Sequence, residues 1–184
     1  PFIRKQDLFT QYGVAAAYQA MKQSGLVSQG EDQNIDPFRL GVYFGSGIGG
    51  FATQYREIAK MIEDPSGQWI SPLFIPTMIS NIAAGHIAIM HHAEGPCLDI
   101  VTACATSTNA MGEAFRAIRN GYADAIITGG CENATIPIGI VGFANAKALS
   151  RATDPKYASL PFNANRAGFV MADGSAALVL EEYE

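Results

Sequence analysis

Apolar residues recur at three- and four-residue spacings over residues 7–25 (Leu8, Val14, Ala17, Met21), which predicts a helix closed by Gly25. The run Leu40-Gly-Val-Tyr-Phe-Gly predicts a short buried strand leading into a glycine-rich loop, 45–50. A second helix is expected over about 51–63, followed by the turn Asp64-Pro-Ser-Gly. Residues 72–76 read as an extended connector. Residues 78–90 are apolar nearly all round, which predicts one buried helix. Next come an expected strand over 97–103, a helix over 105–120 closed by Gly121, and a strand over 124–130. The segment 136–148 is ambiguous and partly helical, and 150–166 is polar and irregular. A tight segment, 168–174, precedes a last strand over 176–181. Short buried strands alternating with helices predict an α/β layered fold. With no repeat, low-complexity tract or linker, the chain reads as a single domain over 1–184.

Composition adds an expectation about surfaces. Of 184 residues, 48% are hydrophobic and 16% charged, more apolar weight than a solvated monomer needs. The excess is expected in a buried sheet and a subunit interface. A net charge of -5 gives no reason to expect nucleic-acid binding. No apolar run reaches the roughly 18 residues of a membrane span, and no signal peptide is visible. Three cysteines without a Cys-x-x-Cys pair suit a reducing, cytoplasmic compartment. The three histidines, His86, His91 and His92, form no metal-ligand spacing with them. The abrupt ends, Pro1-Phe-Ile-Arg and a strand pattern running to Glu184, suggest a piece of a longer polypeptide; a small natural protein is the alternative.

The chemistry concentrates at 98–120. A strand is expected to end at Ala103, with Cys104 at the turn and a helix starting at once. A thiol there faces the positive end of the helix dipole and unpaired N–H groups. Both favour the thiolate, which is the nucleophile. The same N–H groups could hold an oxyanion as a thioester is attacked, and Ala103 and Ala105 leave room for an acyl chain. A free cysteine is also often just a small buried apolar residue. That is the reading for Cys97, in a strand pattern, and for Cys131, after Gly-Gly. For Cys104, spacing alone leaves both open.

Val101-Thr-Ala-Cys-Ala-Thr-Ser-Thr-Asn-Ala-Met-Gly-Glu-Ala-Phe-Arg resembles the nucleophile region of the type II β-ketoacyl-acyl-carrier-protein synthases, elongating condensing enzymes of the thiolase superfamily. Phe44-Gly-Ser-Gly-Ile-Gly-Gly, Ile75-Pro-Thr-Met-Ile-Ser-Asn, Ala84-Gly-His-Ile, Ala123-Asp-Ala-Ile-Ile-Thr-Gly-Gly-Cys-Glu, Lys147-Ala-Leu-Ser and Gly168-Phe-Val-Met-Ala-Asp-Gly resemble the same family in the same order. The similarity covers essentially the whole chain.

The resemblance implies the thiolase-like fold, two similar α/β halves in five αβαβα layers, usually as a homodimer. It maps this chain to most of the first, N-terminal half, after that half's opening strand and helix. It implies that Cys104 takes an acyl group from acyl carrier protein. The carbanion of decarboxylated malonyl-carrier-protein then attacks, giving a 3-oxoacyl-carrier-protein of fatty-acid synthesis. The family's two catalytic histidines and nearby lysine come from its second half. None can be placed here, and the family's histidine at the His86 position is not one of that pair. The chain alone is therefore expected to be inactive in condensation. The resemblance places Ile79 in the acyl pocket, on the dimer-facing helix. It places Arg4, Lys5 and Lys147 where basic residues meet the acidic carrier protein. No cofactor is expected, and spacing, charge and hydropathy give no reason to expect a metal, nucleic acid or a membrane.

The loop Gly45-Ser-Gly-Ile-Gly-Gly lacks the Lys-Ser/Thr of a P-loop; its glycines are read as allowing a tight backbone path. Ala167 departs from the polar residue the family often carries after the arginine, and Thr106 and Ser107 replace other small residues. Other readings are a polyketide ketosynthase or thiolase, and a non-catalytic carrier-protein-binding fragment. The last is weakened because the family's non-catalytic chain-length-factor subunits lack the cysteine. An unrelated Cys–His acyl hydrolase would need His86 or His91 within reach of the thiol.

Overall fold

The strand β1 (Leu40–Gly45) is buried at every position. Its side chains alternate between two cores, as the two-residue period of a strand requires. Leu40, Val42 and Phe44 join one cluster, and Tyr43 joins the other. In the computed structural model, which describes residues 5–183, β1 lies between β2 (Cys97–Leu98) and β3 (Ala125–Glu132), parallel to both. β4 (Gly174–Glu181) closes the order β2-β1-β3-β4 and runs antiparallel to β3, Ala125 opposite Glu181.

Three helices cover the sheet. α1 (Leu8–Ser24) is capped by the Asp7 carboxylate, which accepts from the N–H of Phe9, and ends at Gly25 with φ 76°. Its buried stripe, Phe9, Val14, Ala17 and Met21, packs with α4 (Ile82–Met90) on the face holding Val42 and Ile127. α5 (Thr106–Arg119) covers the opposite face through Ala114 and Ala117 against Tyr43 and Ile126. The remaining helices are α2 (Phe51–Glu63), the single-turn α3 (Phe74–Met78) and α6 (Pro137–Asn145). The ambiguous segment 136–148 thus holds a nine-residue helix.

Several expectations need correction. The helix expected over 78–90 is two: α3 starts at Phe74, inside the expected connector, and Ile79 is extended (φ -67°, ψ 140°) before α4 begins. Nor is α4 buried all round, because Ile89 is 73% exposed. The strand expected over 97–103 pairs only at Cys97 and Leu98. The last strand starts at Gly174, two residues early, because its ladder with β3 continues to Glu132. Cys97 is exposed, so it is not a buried packing residue, whereas Cys131 is buried as expected.

Candidate active site

Beyond β2 the chain leaves the ladder and enters a 3-10 turn, Ala103–Ala105, before α5 begins at Thr106. Cys104 is the middle residue of that turn and is exposed. The helix therefore starts one residue later than the sequence suggests. Ala103, just before the cysteine, has φ 52°, a left-handed conformation that costs a non-glycine residue about 1–2 kcal/mol. The turn is tied on both sides. Thr106 Oγ1 accepts from the Thr102 N–H at 2.9 Å, and Asn109 Nδ2 donates to Thr102 Oγ1 at 2.7 Å. Two glycines let it sit against the sheet. A Cβ on Gly45 would lie 2.0 Å from the Ile100 carbonyl oxygen, and one on Gly130 2.2 Å from Ser107 Oγ.

Cys104 lines a cavity of about 580 Å³. The loop after β1 (Ser46, Gly47, Ile48) forms one side and the end of β3 (Cys131, Glu132) another. Phe143 and Phe169 close it, with ring centres 5.3 Å apart and planes at 79°. The segment carrying Phe169 is anchored by Asp173, which accepts from Asn133 Nδ2 and Ala134 N–H, both at 2.8 Å, from Thr135 N–H at 3.1 Å, and from Thr135 Oγ1. Burial pushes the Asp173 carboxyl up, but these hydrogen bonds outweigh it and hold the group below the usual carboxylate range. The Cys131 thiol is pushed far up by burial and then by the adjacent Glu132, so it is no nucleophile near neutral pH.

The residues singled out from sequence do not gather at one place. Ile79 lines a neighbouring cavity of about 810 Å³ with Ser80, Cys97 and Asp99; Ile48 borders both cavities. Lys5, exposed, lines a small cavity near Arg56, and Lys147, exposed with φ 58°, lines another with Arg151. Arg4 lies outside the described residues. No histidine is found in the wall of the Cys104 cavity. His86 sits on α4, in the layer opposite α5, and burial lowers its imidazole below the ordinary value. His91, at the end of α4, is half-buried, and its carbonyl accepts from Ser28 Oγ. A Cys–His hydrolase therefore finds no histidine in this cavity. Among the described residues no group of three or more His, Cys, Asp or Glu could hold a metal ion, and no helix is long and apolar enough to cross a membrane.

Sequence reasoning missed Glu132, Ser46 and Asp173. Glu132 Oε1 accepts from Ser46 Oγ and Oε2 from the Gly47 N–H, each at 2.9 Å. The partners are 85 and 86 residues apart, so no local spacing reveals them. Both residues did stand in the quoted motifs, Glu132 at the end of the Gly-Gly-Cys-Glu run and Ser46 in the glycine loop.

Comparison of folds gives the class. A β-ketoacyl synthase from Burkholderia phymatum superposes with TM-score 0.82 at 27% identity, over 98% of this chain and 43% of its own. A type II polyketide ketosynthase in complex with its acyl-carrier protein superposes with TM-score 0.86 at 29% identity, over 95% of this chain and 43% of its own. The architecture is thus the thiolase-like layered fold of condensing enzymes. The sequence narrows this further: residues 3–184 match the model of the β-ketoacyl synthase N-terminal domain, and the chain belongs to that family. It is 45% identical over 182 residues to 3-oxoacyl-[acyl-carrier-protein] synthase 2 of Vibrio cholerae and 44% identical to those of Staphylococcus aureus and Synechocystis. These alignments cover 98% of this chain, which spans only 42–43% of the relatives' length.

Proposed function

We propose that this chain is the nucleophile-bearing N-terminal domain of a 3-oxoacyl-acyl-carrier-protein synthase of fatty-acid synthesis, with Cys104 as the residue that is acylated. One observation carries the reading: in a chain of this family, Cys104 lies on a strained strand-to-helix turn and opens into a largely apolar-walled cavity. Of the three cysteines it alone combines exposure, a place in that cavity and the start of a helix.

In this mechanism the Cys104 thiolate attacks the thioester carbonyl of an acyl-carrier-protein. The carrier thiolate leaves and the acyl chain remains on sulfur, a covalent step that divides the condensation in two. Decarboxylation of malonyl-carrier-protein supplies a carbanion that attacks the acyl-enzyme, releases Cys104 and yields a product two carbons longer. Groups that hold the malonyl thioester oxygen are needed for that second step. No histidine of this chain stands in the cavity, so the chain alone performs at most the first step. Acyl carrier protein is the proposed partner, docking near Arg4, Lys5 and Lys147. The proposed assembly is a homodimer in the cytoplasm, with Ile79 contributing to an acyl pocket beside the dimer face. The relatives at 44–45% identity are 3-oxoacyl-[acyl-carrier-protein] synthases, which supports fatty-acid over polyketide chemistry.

The test is an incubation of the 184-residue chain with acyl- and malonyl-carrier-protein, read by mass. The expected result is a slow acyl adduct and no 3-oxoacyl product. Robust 3-oxoacyl product would contradict the division of labour proposed here.

A further inference from the structure

Something has to hold the glycine loop after β1 at a fixed distance from the Cys104 turn, since both form the same cavity. Among the described residues, the only charged side chain in that cavity's wall is Glu132. Its two oxygens bind two successive residues of the loop: Oε1 takes the Ser46 hydroxyl and Oε2 the Gly47 N–H, both at 2.9 Å. Ser46 Oγ in turn accepts from the Gly49 N–H at 2.9 Å, so the carboxylate sets the curl of the whole loop. A Cβ on Gly47 would stand 2.6 Å from Glu132 Oε2 and 3.5 Å from the Ala103 carbonyl oxygen. Gly47 therefore leaves no room for a side chain against the carboxylate, and the Ala103 carbonyl lies at ordinary van der Waals reach of the same position. Ala103 is the residue with φ 52°, a conformation that persists only where its surroundings enforce it. Among the described residues no basic side chain forms an ion pair with Glu132, so its acceptor capacity goes to the loop.

We propose that Glu132 is a positioning residue for the acylation of Cys104: by fixing the Ser46–Gly47 loop against the Ala103 peptide, it aims the thiol into the cavity. This rests on the reading of the cavity as the acyl site. It assigns Glu132 no proton transfer and no contact with the reacting atoms. The loop follows β1 and the turn follows its neighbour β2, while the carboxylate reaches the loop from the end of β3, on the other flank of β1. Removing it leaves the Ser46 hydroxyl and the Gly47 N–H without their acceptor and lets the Ala103 peptide relax from its left-handed conformation.

The chain's own thiols and one added thiol provide the controls. Cys131 is buried and reports loss of fold; Cys97 is exposed but borders the neighbouring Ile79 cavity, so free glutathione in the same mixture reports reagent strength; Cys104 reports the turn. The chain is alkylated in parallel with iodoacetamide and with an octyl-bearing chloroacetamide, whose tail must enter the cavity, and each cysteine is followed by mass. In the wild type, Cys104 should favour the octyl reagent over iodoacetamide more than glutathione does. Glu132→Ala should reduce that preference at least fivefold, with glutathione unchanged and Cys131 still protected. Glu132→Gln, which keeps the shape and one acceptor oxygen, should stay within threefold of wild type. A preference unchanged in Glu132→Ala with Cys131 protected overturns the proposal. So does a parallel loss in both variants accompanied by labelling of Cys131, which marks Glu132 as a fold residue only. If the wild type shows no octyl preference at Cys104, the acyl-cavity reading fails, and the positioning role falls with it.

Discussion

The centre of the sheet and its two edges obey different rules. In β1 and β3 all but one residue are buried, and three helices supply both cores. β2 has both residues exposed, and β4 alternates between exposed and half-buried positions. The apolar surplus noted in the composition sits largely outside the centre: Leu98, Val101 and Leu178 are each about half exposed, and Ile89 on α4 is 73% exposed. The centre thus fixes the fold, while the edges and outer helix faces present apolar surface. Cys104 lies at the boundary. Its turn is built on the rigid centre through Gly45 and Gly130, yet the thiol opens outward. The proposed acyl acceptor benefits from that placement, because a positioned attacking atom needs a stiff support and an open approach.

The contrast can be broken from the centre outward. Phe44→Ala removes a fully buried ring from β1 and should cost about 3–5 kcal/mol in chemical denaturation, the range for deleting a core aromatic. A loss near that of an edge substitution would deny the centre its role. Gly45→Ala comes next. Its new methyl group meets the Ile100 backbone at 2.0 Å, and backbone cannot swing aside. Overpacking of this kind typically costs about 1–3 kcal/mol, and Cys104 labelling should change even where the chain stays folded. Unaltered stability and labelling would show that the turn does not lean on β1.

Acidification should act on the centre before the carboxylates respond. Burial lowers the imidazoles of His86 and His91 in the folded state. The unfolded chain then binds more protons once pH drops below the free histidine value of about 6.5. Stability from these two groups is complete above that pH and declines as pH falls toward their folded values. Glu57 acts later. Its carboxyl is held below the ordinary value by Lys60, against burial, so its contribution is present above about pH 4.3 and is lost as pH falls through its lower folded value. Thermal melts at pH 7.5, 5.5 and 4 should therefore show a first decline between the upper two; a flat Tm down to pH 5.5 would contradict the burial of the imidazoles. The smallest effect is expected from Leu178→Ala on β4, about 1 kcal/mol, because its side chain is already half in water.

Local signals carried much of this structure. Gly25 and Gly121 end their helices with φ 76° and 74°, as residues with no Cβ can, and β1 stands where its short buried run put it. The break at Ile79 was hidden because a uniformly apolar run has no period to interrupt; Ser80 and Asn81 were the available hint. The place of Cys104 at a turn before a helix was legible, because it depends on immediate neighbours. The site was not legible at Glu132 or Asp173, whose partners lie 38–86 residues away. Nor could spacing reveal that Ile79 and Cys104 line separate cavities that share Ile48.

The central claim is that Cys104, and neither of the other thiols, accepts the acyl group. Its most direct test is to incubate the chain with an acyl-carrier-protein thioester, digest it, and locate the acyl mass by peptide. The account predicts an adduct on the Cys104 peptide that disappears in Cys104→Ala while Cys131 stays unmodified. An adduct on Cys97, or one that survives Cys104→Ala, would contradict it.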